Sequence, residues 1–129
     1  MELSSQLSEE ELAAVLDAVA ATSFDSIMVT DVGDGRGETP IVYVNEAFTD
    51  LTGYPADEVL GRSPTFLQGE DTDRAVISQL VADLEAGRTF EGRAVNYRKD
   101  GTPFEMNWRV APVVRDGSVV RYLAVQRRG

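Results

Sequence analysis

The sequence predicts an α+β fold in which five antiparallel strands form one sheet, with helices on one face and an amphipathic helix at the N-terminus. Two short β-branched runs begin this pattern, capped helical segments occupy the middle, and three alternating segments separated by turn residues complete it. A chain of 129 residues has room for a single domain of this kind.

The N-terminal helix begins with a capping box. Ser8 and Glu11 stand three residues apart, so the hydroxyl and the carboxylate each bind a backbone N–H that the first turn leaves free. The apolar stripe that follows comprises Leu12, Val15, Leu16 and Val19. Because this stripe needs a partner, we expect residues 1–24 to form a capping or dimerisation helix that packs on the sheet or on a second copy of the chain.

The first two predicted strands, 27–30 and 41–44, are joined by a polar connection with glycines at Gly33, Gly35 and Gly37. Glycines at such spacing also occur in phosphate-binding loops, but those loops lead directly into a helix. Here Pro40 and a strand follow, so the pattern favours a hairpin.

The middle of the chain is predicted to be helical. Asn45 is a suitable cap for a helical turn that ends at Gly53, and Pro55 suits the first turn of the next helix. We expect Asp71 or Thr72 to cap the longest internal helix, whose apolar face comprises Val76, Ile77, Leu80, Val81 and Leu84.

Three strands end the chain, predicted at 93–99, 104–110 and 119–126, with turns at Asp100–Gly101 and Asp116–Gly117. The last strand has two partly apolar faces, so one can cover a pocket while the other accepts a partner: Val120, Tyr122, Ala124 and Gln126 share one face, and Val119, Leu123 and Val125 share the other.

The register of the first of these hairpins decides what faces Asn96. A two-residue loop would pair Asn96 with Glu105, whereas a three-residue loop that includes Thr102 would pair it with Met106. We favour the second register, because it gives one apolar face containing Ala94, Asn96, Phe104, Met106, Trp108 and Val110. A buried amide without a hydrogen-bonding partner costs about 1–3 kcal/mol, so Asn96 requires a ligand or a neighbour.

Composition excludes several functions. With 22 acidic and 12 basic residues, the chain carries a net charge of −10, which disfavours nucleic acid and anionic membranes as partners. Without cysteine or histidine it has no thiolate nucleophile and no imidazole base, and carboxylates such as Asp71 and Asp73 are typical helix-capping charges. We therefore expect neither enzyme activity nor a bound metal.

The sequence has no apolar run near the roughly 20 residues of a membrane span and no secretory signal, which predicts a cytoplasmic protein.

The stretch from Gly61 to Gly69 reads Gly-Arg-Ser-Pro-Thr-Phe-Leu-Gln-Gly. It closely resembles a segment of the light-oxygen-voltage (LOV) branch of the PAS sensor family, whose pattern is Gly-Arg-Asn-Cys-Arg-Phe-Leu-Gln-Gly. The resemblance extends over about residues 25–127 and includes the segments Val44–Phe48, Leu51–Tyr54, Thr72–Arg74 and Gly101–Phe104. It implies a PAS fold for residues 25–129 and the function of a signalling sensor.

The same resemblance implies a flavin cofactor, FMN or riboflavin, whose polar ring edge would face the amides of Gln68, Asn96 and Gln126. The apolar walls would come from Ile27, Val29, Leu60, Phe66, Leu80 and Trp108 or from their neighbours. The remaining predicted cofactor-binding residues are Asn45, Pro64, Thr65 and Met106. As an alternative, Asn96 and Gln126 bond only to each other or to backbone.

Four departures from the LOV pattern are informative. The cysteine that bonds covalently to the excited flavin in that family falls on Pro64, so the usual adduct cannot form. Its two phosphate-binding arginines fall on Thr65 and Val81, and its second ring-facing asparagine falls on Met106. Riboflavin, another flat heterocycle and no ligand at all therefore stay open beside FMN.

Two functions remain. The first is a flavin-dependent sensor of light or redox state without a cysteinyl adduct, in which Gln126 turns its amide to pass a change to the last strand. The second is a cofactor-free PAS module for dimerisation and signal relay. In both, we expect a homodimer formed through the N-terminal helix and the outer sheet face. We also expect the domain to have been excised from a longer chain, because the sequence ends at Gly129 directly after the last strand, and we expect the output to lie in a downstream domain or partner.

Overall fold

A computed structural model describes residues 6–33 and 38–129. Its five strands form one antiparallel sheet in the order β2-β1-β5-β4-β3, with bounds of Ser26–Asp31 for β1, Ile41–Val44 for β2, Phe90–Tyr97 for β3, Pro103–Arg115 for β4 and Ser118–Arg128 for β5. The helices are α1 at Glu9–Thr22, α2 at Glu46–Thr52, α3 at Ala56–Val59 and α4 at Arg74–Glu85, and a 3₁₀ turn occupies Pro64–Leu67. The predicted α+β fold is confirmed. None of the helices in the two described ranges is long and apolar enough to cross a membrane.

The core lies between the inner face of the sheet and the internal helices. Strand β4 shows how the alternation builds it, because Phe104, Met106 and Trp108 are buried whereas Glu105 and Arg109 are exposed. The division of apolar from polar side chains predicted for this strand is therefore right. Phe48 of α2 and Val59 of α3 are fully buried and close the core from the helical side.

The predicted register of β3 against β4 is wrong. Asn96 pairs with Phe104 rather than with Met106, which pairs with Ala94. The hairpin loop begins one residue earlier than expected, because the backbone N–H of Lys99 donates to the carbonyl of Thr52 at the end of α2 instead of joining the ladder. The shift amounts to two residues, so each side chain keeps its predicted face.

Helix caps follow the sequence at three of four ends. Ser8 and Glu11 form the predicted capping box of α1, Asn45 caps α2, and Gly53 ends α2 with a left-handed φ of 79°. The cap of α4 is Asp73, not Asp71 or Thr72; its carboxylate accepts the N–H of Ala75.

Strands β1 and β2 pair as the predicted hairpin, although Gly35 and Gly37 of its connection lie outside the described residues. The inner face of β1 carries Met28 and Thr30, which are buried, whereas Ile27 and Val29 lie on the outer face and are half-buried. The expectation that Ile27 and Val29 form the inner wall is therefore wrong.

Candidate functional site

A cavity of about 90 Å³ lies between the inner face of the sheet and the helical layer. Its floor consists of inward side chains from the strands, namely Met28, Thr30, Asn96, Met106, Trp108, Val110, Tyr122, Ala124 and Gln126. Its other wall consists of Thr39, Pro64, Leu67, Gln68, Ile77, Leu80 and Leu84. The predicted Pro64, Leu80, Met106 and Trp108 thus lie together around one space.

Three amide side chains, Gln68, Asn96 and Gln126, reach the same cavity. Asn96 and Gln126 are only 5% and 2% exposed, so neither points into bulk solvent. Strand alternation explains the positions of two of these amides. Asn96 on β3 and Gln126 on β5 each occupy an inward position, and their strands lie on either side of β4. The three amides predicted to face a flavin thus line one cavity.

Each amide has one group bound to the protein. The Gln126 Oε1 accepts a hydrogen bond of 2.8 Å from the Ser26 hydroxyl, and the Gln68 Oε1 accepts one of 2.8 Å from Nη1 of Arg74. The Asn96 Nδ2 makes only a long contact of 3.4 Å with the Ala94 carbonyl. Asn96 and Gln126 do not bond to each other. The groups left facing the cavity are therefore two amide NH₂ groups and one amide oxygen.

The loop that carries Gln68 is fastened to β3. The backbone N–H of Gly69 donates to the Thr72 hydroxyl, which itself donates to the carbonyl of Val95, and the N–H of Asp71 donates to the Tyr97 hydroxyl over 2.9 Å. The role of Thr72 is thus to hold this loop rather than to cap α4. These bonds keep Gln68 on the side of the cavity where Asn96 lies.

Asn45 was predicted to bind the cofactor, but it does not line the cavity. Its Oδ1 accepts the backbone N–H groups of Ile27 and Phe48, and its Nδ2 donates to the carbonyls of Ala20 and Asp25. Both ends of this buried amide are therefore used within the protein, where they join α1 to the sheet and to α2.

Three other predicted residues lie outside the cavity. Phe66 packs edge-on against Tyr54, with ring centroids 4.8 Å apart, and beneath the guanidinium of Arg62 at 4.3 Å. Thr65 is exposed, and Leu60 is 49% exposed. The 3₁₀ turn explains the difference, because it directs Pro64 and Leu67 inward and the residues between them outward.

Sequence reasoning missed two polar residues of β1. Ser26 bonds to Gln126 behind the cavity wall, and Thr30, 4% exposed, lines the cavity. A strand places alternate residues on one face, so assigning Met28 to the inner face would have placed Ser26 and Thr30 there too. Ile27 and Val29 are more apolar and were assigned to the inner face instead.

The described lining of the cavity contains no charged side chain. Arg74 is bound to Gln68 of the lining, and Arg62 is stacked on Phe66 outside it. No group of three or more carboxylates, histidines or cysteines that could hold a metal occurs among the described residues. The carboxyl groups with a shifted pKa lie elsewhere: the backbone N–H of Ser8 lowers the pKa of Glu11, and hydrogen bonds from Thr102 lower that of Asp100.

A larger hollow of about 680 Å³ lies on the outer face of β3, β4 and β5. Its lining combines apolar side chains such as Leu123 and Val125 with four charged side chains, namely Glu91, Arg93, Arg109 and Arg127. Because none of the three converging amides reaches it, it is a poorer candidate for a heterocycle than the smaller inner cavity.

A family model described as "PAS domain" matches residues 25–127. The chain belongs to the PAS domain family. Phototropin-2 of Oryza sativa subsp. japonica is 44% identical to it over 92 residues, which cover 70% of this chain and 10% of phototropin-2. This PAS domain thus spans about a tenth of that relative.

Solved structures extend the similarity. An RNA-binding light-oxygen-voltage receptor superposes with a TM-score of 0.87 at 32% identity and covers 99% of this chain and 36% of its own. A light-oxygen-voltage domain whose mechanism was studied with a flavin analogue superposes with a TM-score of 0.81 at 35% identity, covering 90% of this chain and 84% of its own. The LOV-like character predicted for this PAS domain is confirmed.

Proposed function

We propose that this PAS domain binds a flavin without a covalent bond and acts as a sensor of light or redox state. The observation that carries this proposal is the set of three inward amides, Gln68, Asn96 and Gln126, around one otherwise apolar cavity. Similarity to a LOV domain studied with a flavin analogue supports the same ligand class.

The amides match the polar edge of a flavin in number and type. That edge is an imide with two carbonyl acceptors and one N–H donor between them, and side-chain amides can supply both donors and acceptors. The NH₂ groups of Gln68 and Gln126 are free to donate, since their oxygens are bound to Arg74 and Ser26. The free oxygen of Asn96 supplies the acceptor.

The ligand would stay noncovalent because the chain contains no cysteine. Pro64 lines the cavity at the position where the LOV resemblance implies that residue, and a proline side chain carries no nucleophile. A bound flavin would therefore not lose its fluorescence to a cysteinyl adduct under illumination. Trp108 and Tyr122 line the same cavity and are aromatic residues that could supply an electron to the ring if it is photoreduced.

Binding requires the cavity to widen. Its volume of about 90 Å³ is smaller than the roughly 300 Å³ at which ligand pockets begin. Helix α4 is the wall that is expected to move, since none of its residues is fully buried and its cavity-lining side chains, Ile77, Leu80 and Leu84, are only half-buried. Outward movement of α4 therefore costs less packing than distortion of the sheet.

Titration of the purified protein with riboflavin and FMN tests the proposal. We expect saturable binding and a higher unfolding temperature with ligand, because a ligand that binds only the native state stabilises it. Asn96→Leu should weaken binding about tenfold or more, the loss expected for one hydrogen bond to a buried polar group. Asn107→Leu is the matched control, because Asn107 lies on the opposite face of the sheet and lines the outer hollow. Absence of binding at millimolar flavin, or equal effects of the two variants, would contradict the proposal.

We further propose that residues 1–24 serve for dimerisation and that the outer sheet face receives α1 of a second copy. The apolar stripe of α1 is exposed, with Val15, Leu16 and Val19 at 45%, 54% and 53%. Charge adds little to this proposal. The outer hollow contains three arginines and Glu91, and each of these arginines lies within 4 Å of a carboxylate of the same chain. The exposed apolar stripe of α1 therefore carries the proposal. This surface also supports the second candidate function, a cofactor-free module that relays signals to a downstream domain.

Sedimentation equilibrium tests the dimer. Leu16→Glu should give a monomer, because a charge in the apolar contact would be desolvated without a partner. Val81→Glu is the control, since Val81 is a similarly exposed apolar residue on α4. A wild-type monomer at all accessible concentrations would contradict the dimer proposal without affecting flavin binding.

A further inference from the structure

We propose that Ser26 is a positioning residue that sets the orientation of the Gln126 amide in the cavity wall. The role of that orientation in ligand recognition depends on the flavin-binding function proposed above. The contact between the two residues does not depend on it.

The two residues form a cross-strand pair. Ser26 of β1 and Gln126 of β5 are directly opposite each other in the antiparallel ladder, and each is only 2% exposed. The Ser26 hydroxyl donates to Oε1 of Gln126 over 2.8 Å. This is the one hydrogen bond made by the Gln126 side chain to another described side chain, so it determines which end of the amide faces the cavity.

A serine hydroxyl is suited to this position because it both donates and accepts. As a donor it binds Oε1 and leaves the NH₂ of Gln126 for an acceptor in the cavity. If the amide turns over, the same hydroxyl oxygen accepts from Nε2 and leaves Oε1 for a donor. Alanine at position 26 would bind the amide in neither orientation, so the amide would no longer be held as it is in the structure.

A double-mutant cycle in the ligand-free protein tests the contact. We expect Ser26→Ala to raise the unfolding constant about two- to tenfold, the range for one net hydrogen bond. In the Gln126→Leu background, Ser26→Ala should leave the unfolding constant unchanged, because the hydrogen bond between the two side chains is already absent. Thr30→Val is the matched control: it removes another buried hydroxyl from the inner face of β1, but Thr30 pairs with Tyr122 rather than Gln126. The changes in the free energy of unfolding caused by Thr30→Val and by Gln126→Leu should therefore be additive.

A spectral cycle with bound riboflavin tests the orientation. Ser26→Ala should shift the visible absorption band in the same direction as Gln126→Leu, Ser26→Thr should restore the wild-type band, and Ser26→Ala should cause no shift in the Gln126→Leu background. Additive effects in either cycle, or an unshifted band in Ser26→Ala, would overturn the proposal. Coupling in the ligand-free cycle without riboflavin binding by the wild type would support the Ser26–Gln126 contact and contradict the proposed flavin function.

Discussion

Gly69 lies so close to Tyr97 that a Cβ atom at position 69 would overlap Cε1 of the tyrosine ring. The ring cannot easily move away, because its hydroxyl accepts the N–H of Asp71. This contact fixes the distance between the loop that carries Gln68 and the strand that carries Asn96, and so sets the width of one side of the cavity.

Gly69→Ala should therefore destabilise the protein by about 1–3 kcal/mol, the range for an overpacked site. It should also weaken flavin binding, because the Gln68 loop must move outward. Urea unfolding and riboflavin titration measure the two effects. In a Tyr97→Leu background the added methyl meets less obstruction, so the stability loss should shrink; an undiminished loss there would refute the steric explanation.

Asn45 is expected to hold α1 in place rather than to bind a ligand. Asn45→Asp keeps the oxygen that caps α2 and binds the Ile27 N–H, but it removes the Nδ2 donor to the carbonyls of Ala20 and Asp25. Hydrogen exchange measured by mass spectrometry should become faster across Glu9–Thr22 and stay unchanged across Glu46–Thr52. Gln79→Glu, the same kind of amide-to-carboxylate change at an exposed position of α4, is the control and should leave both helices protected. Unchanged exchange in α1 would contradict this role.

Acidification should loosen the first turn of α1. The backbone N–H of Ser8 and then its hydroxyl lower the pKa of Glu11 in the folded protein, so the stabilisation is present above the pKa of an unfolded glutamate, about 4.3. It is lost as the pH falls through the lower folded pKa. Amide exchange of this turn, followed by NMR from neutral to acidic pH, measures the loss. Glu11→Gln should abolish this pH dependence whereas Glu10→Gln should retain it; the reverse result would contradict the assignment to Glu11.

The face that each long strand turns to the core could be predicted from the sequence. Alternation along β3, β4 and β5 is regular, so it placed Asn96, Met106, Trp108 and Gln126 on the correct face even though the predicted register was two residues off. The register itself depended on a backbone bond between Lys99 and Thr52, residues far apart in sequence, which no local pattern reveals.

Strand β1 shows why the rest of the site could not be predicted. Both faces of this short strand carry apolar residues, since Met28 points inward while Ile27 and Val29 point outward. Hydrophobicity alone therefore favoured the wrong face as the inner one, and it assigned Ser26 to the outer face. The correct face is set by pairing with β5, a contact between opposite ends of the chain.

Pro64→Cys offers the most direct test of the relation between this domain and LOV domains. Pro64 lines the cavity at the first position of the 3₁₀ turn, where a proline has no backbone hydrogen bond that a cysteine would need to replace. If a flavin occupies the cavity, the new thiol should bond to it under blue light, and both the visible absorption and the fluorescence should be lost and then recover in the dark. Thr65→Cys is the matched control, because that neighbouring side chain is exposed and outside the cavity, and it should leave the flavin fluorescent. If bound flavin stays fluorescent in the illuminated Pro64→Cys variant, the flavin ring lies outside this cavity, because a ring inside it would be within reach of the new thiol.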